Sequence, residues 1–430
     1  MRMAAWFWGL ICLCVIAIVP SAGRAQQVIT LAELERKAVQ SRPQLDADDA
    51  AGRGAQADVD RAIAGYYPGL SLEGKSSVSP GNKLVRVELP GGDYWVSGSK
   101  DDIEEGALAP VFRYGLAIEG RLNIYDFGRT GAAVEASRAK RTAVQASRDV
   151  TRLQIVRGVR ASYLGWLAAY ELLSVTERAA TDAKERSARV AALISEGMRP
   201  KADLTPVRSD ELLAQLELER ARGDVQKRKL VVEHAVGSPL PEGAVPDRAL
   251  LDQSGSGSAP SEDPELRALQ LEHAAAERAA EALDEGDNAV LGALGSVGMY
   301  GQPDKIFPSY SVGIGVSVPL WDGGADEASA GAAHAKSDGI SARIREHEQA
   351  QEQEKREVAI DSANASKRLE MAQALLESTT AQLAEAEARY DLGGGGIEPI
   401  AVARAMMRRA HTELLLAKVA RIEAALRALP

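Results

Sequence analysis

The chain has 430 residues with 51 basic and 61 acidic side chains, which gives a formal net charge of −10. This acidic balance argues against a nucleic-acid-binding surface, which requires clustered lysine and arginine side chains. Aromatic residues make up only 4% of the chain and only two cysteines are present. The composition therefore disfavours a disulfide scaffold and favours long helices packed side by side over a compact aromatic core.

Residues 1–25 have the pattern of a secretory signal peptide. Arg2 gives a positive start, an apolar run occupies 6–19, and small residues follow up to Ala25. The alternative is a membrane anchor, but the run is shorter than the ~20 residues that a spanning helix needs. We therefore predict export with cleavage between Ala25 and Gln26. Both cysteines lie inside this segment, so the predicted mature chain has no disulfide and no thiol metal site.

The remainder of the chain contains a twofold internal repeat. A shift of 196 residues aligns Tyr-Asp-Phe-Gly at 125–128 with Trp-Asp-Gly-Gly at 321–324, and it aligns Gly197 with Gly393. A Gly/Pro/Ser-rich stretch lies between the copies and has the composition of a linker. The sequence therefore predicts three segments: a first structural repeat at 26–236, a linker at 237–262 and a second repeat at 263–430.

Each repeat has the same predicted order of elements, namely one helix, two strands and two long helices. The first repeat is predicted to contain a helix at 31–64, strands at about 69–79 and 112–124, and long helices at about 128–196 and 201–236. The second is predicted to contain a helix at 264–286, strands at about 289–300 and 309–320, and long helices at about 323–391 and 398–428. The first copy has an insertion at 79–105, which we interpret as a longer extracellular loop or a short hairpin.

The strand predictions rest on the alternation of apolar with polar or small side chains. Val312, Ile314 and Val316 alternate with serine and glycine, and the pattern lasts for about ten residues, the length of a tilted membrane-spanning strand. Most aromatic residues after position 25 lie in or beside the strand regions, as in the interface girdles of membrane barrels. A strand of a soluble sandwich alternates in the same way.

The long helices carry an apolar seam at heptad spacing. Leu369, Ala372, Leu376, Thr379 and Leu383 are separated alternately by three and four residues, which is typical of close-packed coiled-coil helices. Glycine-containing breaks interrupt both long helical stretches at equivalent positions. Each repeat is therefore predicted to end in an antiparallel helical hairpin with a tip at the break.

Four strands cannot close a transmembrane barrel, so the chain must oligomerise. The order of elements, the motifs at 125–128 and 321–324, the entry Tyr-Pro-Gly-Leu-Ser-Leu at 67–72 and the two tips resemble the TolC-like outer-membrane efflux family over nearly all of the mature chain. The resemblance implies a mostly α fold with a membrane β part. Four β-strands from each subunit of a homotrimer form a shared 12-stranded barrel, and a long periplasmic α-helical tunnel continues it.

The same resemblance implies a function and a location. The chain is expected to be a passive exit channel in the bacterial outer membrane, with a large periplasmic extension and with outer-membrane lipid around its barrel. It would serve a tripartite efflux or type I secretion system, docked by a periplasmic adaptor protein and an inner-membrane transporter. The cargo stays open between drugs, metal ions, polysaccharide and secreted proteins.

The hairpin tips are the candidate functional sites, since the resemblance implies that they carry the adaptor contacts and the gate. Glycine permits the chain reversal at each tip. Leu204 and Ile400 either dock against another hairpin or begin the heptad seam. The acidic ring expected just past the second tip is not clearly matched, because Pro399 and Val402 occupy its positions. By position, the tip residues are Gly197, Asp203, Leu204 and Arg208 in the first hairpin and Gly393, Glu398, Ile400 and Arg404 in the second.

No sequence motif indicates an enzyme. The five histidines lack metal-binding spacing, and the glycine run at 393–396 is not followed by the Lys-Ser/Thr of a phosphate loop. We therefore expect no catalytic residues, no cofactor, no metal and no nucleic-acid partner. The alternative to a channel is a soluble periplasmic coiled-coil adaptor or scaffold protein, although an adaptor usually has one helical hairpin and this chain has two.

Overall fold

The computed structural model describes residues 27–80, 84–89, 92–97, 110–252, 263–302, 305–392 and 396–427. The predicted signal peptide, including Ala25, and the cleavage partner Gln26 lie outside the described residues, as do linker residues 253–262. The fold is mostly helical with one four-stranded sheet, which confirms the predicted mostly α fold with four β-strands in each subunit. None of the helices within these ranges combines the length and the apolar character needed to cross a membrane.

The elements follow one another in the predicted order, and each repeat ends in two long helices. The first repeat contains β1 (Gln27–Ile29), α1 (Leu31–Ser41), α2 (Pro43–Ile63), β2 (Gly69–Pro80), β3 (Leu84–Leu89), β4 (Gly92–Ser97), β5 (Pro110–Tyr125), α3 (Arg129–Ser195) and α4 (Leu204–Val236). The connecting strand β6 (Ala244–Pro246) precedes a second repeat of α5 (Pro264–Asp284), β7 (Val290–Gln302), β8 (Lys305–Ser317), α6 (Ala325–Asp391) and α7 (Glu398–Arg427).

The two long helices show the repeat most directly. Helices α3 and α6 have 67 residues each, and their first residues are separated by the same shift that aligns the two copies in sequence. At 1.5 Å per residue, each is about 100 Å long. Near the sheet, α2, α3, α5 and α6 pack side by side, and towards the other end the layer is α4, α3, α7 and α6. The long helices therefore connect the sheet to the hairpin tips.

Several predicted boundaries differ from the structure, and proline explains two of the differences. The helix predicted at 31–64 is divided into α1 and α2, because Pro43 keeps Arg42 in an extended conformation. Strand β8 ends at Ser317 rather than at 320, since Pro319 has no N–H to donate to a sheet. The insertion forms an antiparallel hairpin of β3 and β4, which is the second of its two sequence interpretations.

The segment predicted as a linker is packed as far as Leu251. Strand β6 pairs in parallel with β1, and Leu240 and Leu251 are buried in the main hydrophobic cluster beside Trp166 of α3. Composition alone suggests a spacer here, but these apolar side chains are large enough to bury a substantial area. The linker interpretation at 237–262 is therefore corrected for its first part.

A buried tyrosine fixes this packed segment to the N-terminal strand. The Tyr163 hydroxyl donates to the Ile29 carbonyl oxygen at 2.9 Å and accepts from the Asp247 N–H at 2.8 Å. Burial raises the pKa of Tyr163 to about 12, so the phenol keeps its proton and its role as donor at physiological pH. One side chain of α3 thus holds both strands of the β1–β6 pair.

The equivalent motifs at 125–128 and 321–324 are the turns at which strands become long helices. Gly323 and Gly324 both have positive φ, as do Phe127 and Gly128 in the first copy. Asp322 then caps α6, because its carboxylate accepts from the N–H groups of Gly324 at 2.8 Å and of Asp326 at 2.6 Å. These contacts satisfy helix N–H groups that have no carbonyl partner within the helix.

Replacing Asp322 with alanine is expected to lower the Tm of the purified protein, followed by circular dichroism at neutral pH. The N–H groups of Asp326, Gly324 and Ala325 hold the pKa of Asp322 below its ordinary value. Its stabilising contribution is therefore present above the ordinary carboxyl pKa and is lost as the pH falls through the lowered one. The difference from wild type should therefore shrink as the pH falls below the ordinary aspartate pKa of about 3.9. Asp149→Ala, at an exposed position on α3, is the matched control, and an equal loss of Tm in both variants would contradict the capping role.

Candidate functional site

The four-stranded sheet has the order β2-β5-β7-β8, and every neighbouring pair is antiparallel. The register places a row of apolar residues from all four strands on one face. Leu72 pairs with Ile118, Ile118 with Val297, and Val297 with Tyr310. These side chains are exposed in the single chain, and the exposed fractions of Tyr310 and Val312 are 83% and 87%. A contiguous exposed apolar face of this kind marks a membrane or protein contact.

The opposite face, called the polar face below, carries most of the polar side chains of the sheet. Ser71 pairs with Glu119, Glu119 with Ser296, and Ser296 with Ser311, so one row of polar residues crosses all four strands. The hydroxyl groups of Ser296 and Ser311 lie 2.9 Å apart. Glycines are frequent on this face, and a side chain at Gly298 would collide with the backbone of β5. The sheet is therefore amphipathic across its whole width.

Both outer strands of this sheet leave one edge without a partner among the described residues. Strand β2 pairs only with β5, and β8 pairs only with β7. An open edge carries unpaired N–H and C=O groups, and these are costly wherever water is absent. Another strand must therefore pair with each edge if the sheet lies in a membrane.

At the far end of the helices, the first tip reverses the chain in a few residues. Gly197 has a φ of 76°, and the N–H of Met198 donates to the carbonyl oxygen of Leu193 at 2.9 Å. This is a helix end in which a left-handed glycine lets the last carbonyl groups be satisfied. Pro200 and a 3₁₀ turn at Lys201–Asp203 then lead into α4. In the second tip, Gly393 lies outside the described residues.

A small hydrophobic cluster joins the two tips. It contains Val190 and Val207 of the first hairpin and Tyr390, Ile397 and Ile400 of the second. The exposed fraction of Ile400 is 4%, so this side chain belongs to the tip core and is not available for docking. The sequence allowed Ile400 either to dock against another hairpin or to begin the heptad seam, and its burial agrees with the second interpretation.

Polar contacts also connect the two hairpins at the tips. The Arg199 guanidinium lies 3.7 Å from the centre of the Tyr390 ring and donates a hydrogen bond to the Tyr390 carbonyl oxygen. Asp210 of α4 accepts from Arg186 of α3 at 2.7 Å and lies 3.6 Å from Arg408 of α7. Arg–aromatic stacking and half-buried ion pairs are worth more than exposed ones, because water competes less. These contacts restrain the two hairpins against each other.

The remaining tip residues predicted from sequence differ in exposure. Gly197, Arg208 and Glu398 are exposed, whereas Asp203, Leu204 and Arg404 are half-buried. Arg404 also forms an ion pair with Glu387 of the same hairpin. The structure therefore gathers these described residues at one end of the molecule but gives them different surroundings.

Sequence reasoning missed several tip residues that the structure makes prominent. Arg199 lies inside the first glycine-containing break, between Gly197 and Pro200, and Tyr390 is the last residue of the heptad seam in α6. Both positions could therefore have been identified from the sequence as the places where a helical pattern stops. Met198 and Leu392 are the exposed apolar side chains beside the two breaks. The pairing of Arg199 with Tyr390 could not be predicted from the sequence, because it depends on contact between two hairpins and the pattern of a single helix does not specify that contact.

Comparison with known proteins identifies the class of protein that this fold and these tips define. The model of the family described as outer membrane efflux protein matches residues 34–238 and 256–429. The chain therefore belongs to the outer membrane efflux protein family. No curated protein sequence matches the chain.

Solved structures of bacterial membrane proteins share the fold. CusC, described as forming a transmembrane channel, has a TM-score of 0.76 at 16% identity, with 93% of this chain and 90% of that chain covered. VceC from Vibrio cholerae has a TM-score of 0.73 at 17% identity, covering 93% and 94%. The MtrE outer membrane channel of Neisseria gonorrhoeae has a TM-score of 0.73 at 16% identity, covering 93% and 87%.

Replacing Arg199 with alanine is expected to loosen the contact between the tips. The variant loses the stacking on Tyr390 and the hydrogen bond to its carbonyl group, together worth about 1–2 kcal/mol. Amide hydrogen exchange at 386–392 and 397–403 should then accelerate roughly tenfold. Arg208→Ala, which removes an exposed arginine of the same tip, serves as control. Equal exchange in the two variants would count against the contact.

Proposed function

We propose that three copies of the chain form an exit channel through the bacterial outer membrane. The observation that carries the proposal is the amphipathic four-stranded sheet with two open edges. Pairing of β8 in one copy with β2 of the next would satisfy both edges and give twelve strands in all, within the range of known outer-membrane barrels. The apolar face would then contact lipid, and the polar face would line the lumen.

Below the membrane, the same three copies would build the helical tunnel in the periplasm. The flanks of the helical layer carry exposed apolar side chains that a single chain leaves in water. They include Leu212 and Leu216 on α4 and Ile360 and Met371 on α6. A neighbouring copy would cover these residues, and this burial would add the hydrophobic stabilisation that holds a trimer together.

The tips would then face the periplasmic partners. We propose that the exposed Met198 and Leu392 contact the helical hairpin of an adaptor protein, together with Gly197, Asp203, Leu204, Arg208, Glu398 and the loop that contains Gly393. The Arg199–Tyr390 contact and the Asp210 ion pairs would keep the tunnel narrow until the partner engages. The channel would be a passive duct for tripartite efflux or type I secretion, and an inner-membrane transporter would supply the energy.

Membrane fractionation with a matched pair of variants tests the barrel. Val312 lies on the apolar face and Ser311 beside it on the polar face. Val312→Asp places a carboxylate against lipid, which destabilises a barrel in a depth-dependent way, whereas Ser311→Asp places the same group in the lumen. Wild type and Ser311→Asp should remain in the outer membrane after an alkaline wash and should have the mass of three chains by light scattering. Val312→Asp should be largely lost from this fraction.

Recovery of the wild type in the soluble periplasm would refute the barrel. The alternating strands would then belong to a soluble sandwich, and a coiled-coil scaffold would become the better explanation. Insertion of both variants with equal yield would refute the assignment of the two faces without excluding a channel.

Photo-crosslinking in cells tests the docking surface. A photoreactive amino acid at Met198 should capture a periplasmic protein, which mass spectrometry of its peptides identifies. The sequence of this protein should contain a secretory signal and a helical hairpin. The same group at Arg138, exposed on α3 near the sheet, should not capture this protein, because the position lies far from the tip. Capture of the same protein from both positions, or from neither, would contradict adaptor binding at the tips.

A further inference from the structure

The polar face of the sheet has an uneven distribution of charge. Among its described side chains, the charged ones all lie on β2 and β5, and β7 and β8 contribute serine, glycine, leucine, valine and aromatic residues instead. Three are basic and two are acidic, so this face carries a positive excess although the whole chain is strongly acidic. The charged residues are Glu73, Lys75, Arg113, Glu119 and Arg121.

Four of these residues form a continuous series across β2 and β5. The Lys75 Nζ atom lies 3.2 Å from Glu73 Oε2 and 3.7 Å from Glu119 Oε1. The Arg121 guanidinium lies 3.8 Å from Glu119 Oε2. Glu119 is therefore shared between two cations, and the series reads Glu73–Lys75–Glu119–Arg121.

The two acids of this series are less accessible than its two bases. The exposed fractions of the Glu119 and Glu73 side chains are 18% and 42%, whereas those of Lys75 and Arg121 are 52% and 75%. A solute near the wall consequently meets the ammonium and guanidinium groups more directly than the carboxylate between them. The local potential depends on such nearby exposed charges and not on the net charge of the chain.

The described side chains of β7 and β8 on this face do not neutralise the charged series on β2 and β5. Ser296 stands opposite Glu119 in the register, and Ser311 stands opposite Ser296, with their hydroxyl groups bound to each other. Arg121 has Leu294 opposite it on β7. Judged by the described side chains, a lumen lined by three copies would therefore alternate between a charged stripe on β2 and β5 and an uncharged stripe on β7 and β8.

We propose that Lys75 and Arg121, held by Glu119, determine the charge selectivity of the barrel lumen and favour the passage of anions. The proposal rests on the proposed trimeric channel, in which the polar face lines the lumen. Rings of basic side chains select anions in pores. Their influence extends about 10 Å at 0.1 M salt and further at lower salt, so the preference is strongest in dilute solution.

Reversal potentials in planar lipid bilayers test the proposal. Purified trimers are measured under a KCl gradient below about 0.1 M, where screening is weak. The wild type should be more permeable to chloride than to potassium. The ratio of the two permeabilities should fall about twofold or more in Lys75→Gln/Arg121→Gln and further in Lys75→Glu/Arg121→Glu. Lys75→Arg/Arg121→Lys retains both charges and should leave the ratio unchanged.

The outcomes separate this proposal from the proposed function. A wild-type channel that prefers potassium, or glutamine and glutamate variants that conduct with an unchanged ratio, would overturn the selectivity assignment while leaving the channel intact. A fall in the ratio that also occurs in the charge-retaining variant would overturn it as well. Trimers that insert into the bilayer but conduct no ions, both in the wild type and in Arg199→Ala, in which the contact between the tips is loosened, would overturn the channel itself, and the selectivity assignment with it.

Discussion

The described part of the chain contains an antiparallel sheet with one apolar face and two open edges, and the rest of the structure depends on this constraint. Each buried N–H and C=O group must find a partner where water is absent, and four strands cannot supply all of those partners alone. The consequences extend along the chain. Each strand pair is followed by a helix of 67 residues, so any arrangement that closes the sheet also brings the long helices of different copies side by side.

The turns between strands and long helices fix the position at which each long helix begins relative to the sheet. Asp322 and the glycines before α6 set the direction in which the helix leaves the sheet. In the first copy, the Asp126 carboxylate accepts from the Thr130 N–H at 3.0 Å, and Asn288 at the entrance to β7 donates to the Phe127 carbonyl oxygen. The last contact joins the two repeats at the point where both pass from sheet to helix. Two repeats with the same turn chemistry therefore start their helices in equivalent positions.

Much of the fold was predictable because its signals are periodic. Alternation over ten residues located β8, the heptad seam located α6, and a fixed shift between copies joined these patterns into one architecture. The boundaries were less predictable where proline acts locally, as at Pro43 and Pro319. The packed segment around Leu240 and Leu251 was missed because its partners, including Trp166, are distant in sequence. The tips show the same limit, since glycine and proline mark the reversal, whereas the contact of Arg199 with Tyr390 depends on two hairpins meeting.

The pairing of β1 with β6 has a consequence for the order in which the first repeat folds. Gln27 lies in the first described strand, yet its partner Ala244 lies about two hundred residues further on. The hydroxyl of Tyr163 joins the same two segments. The leading strand must therefore wait without its native partner while most of the first repeat emerges, and contacts of such wide sequence separation form slowly. Completion of this pair would therefore be a late step in the folding of the first repeat.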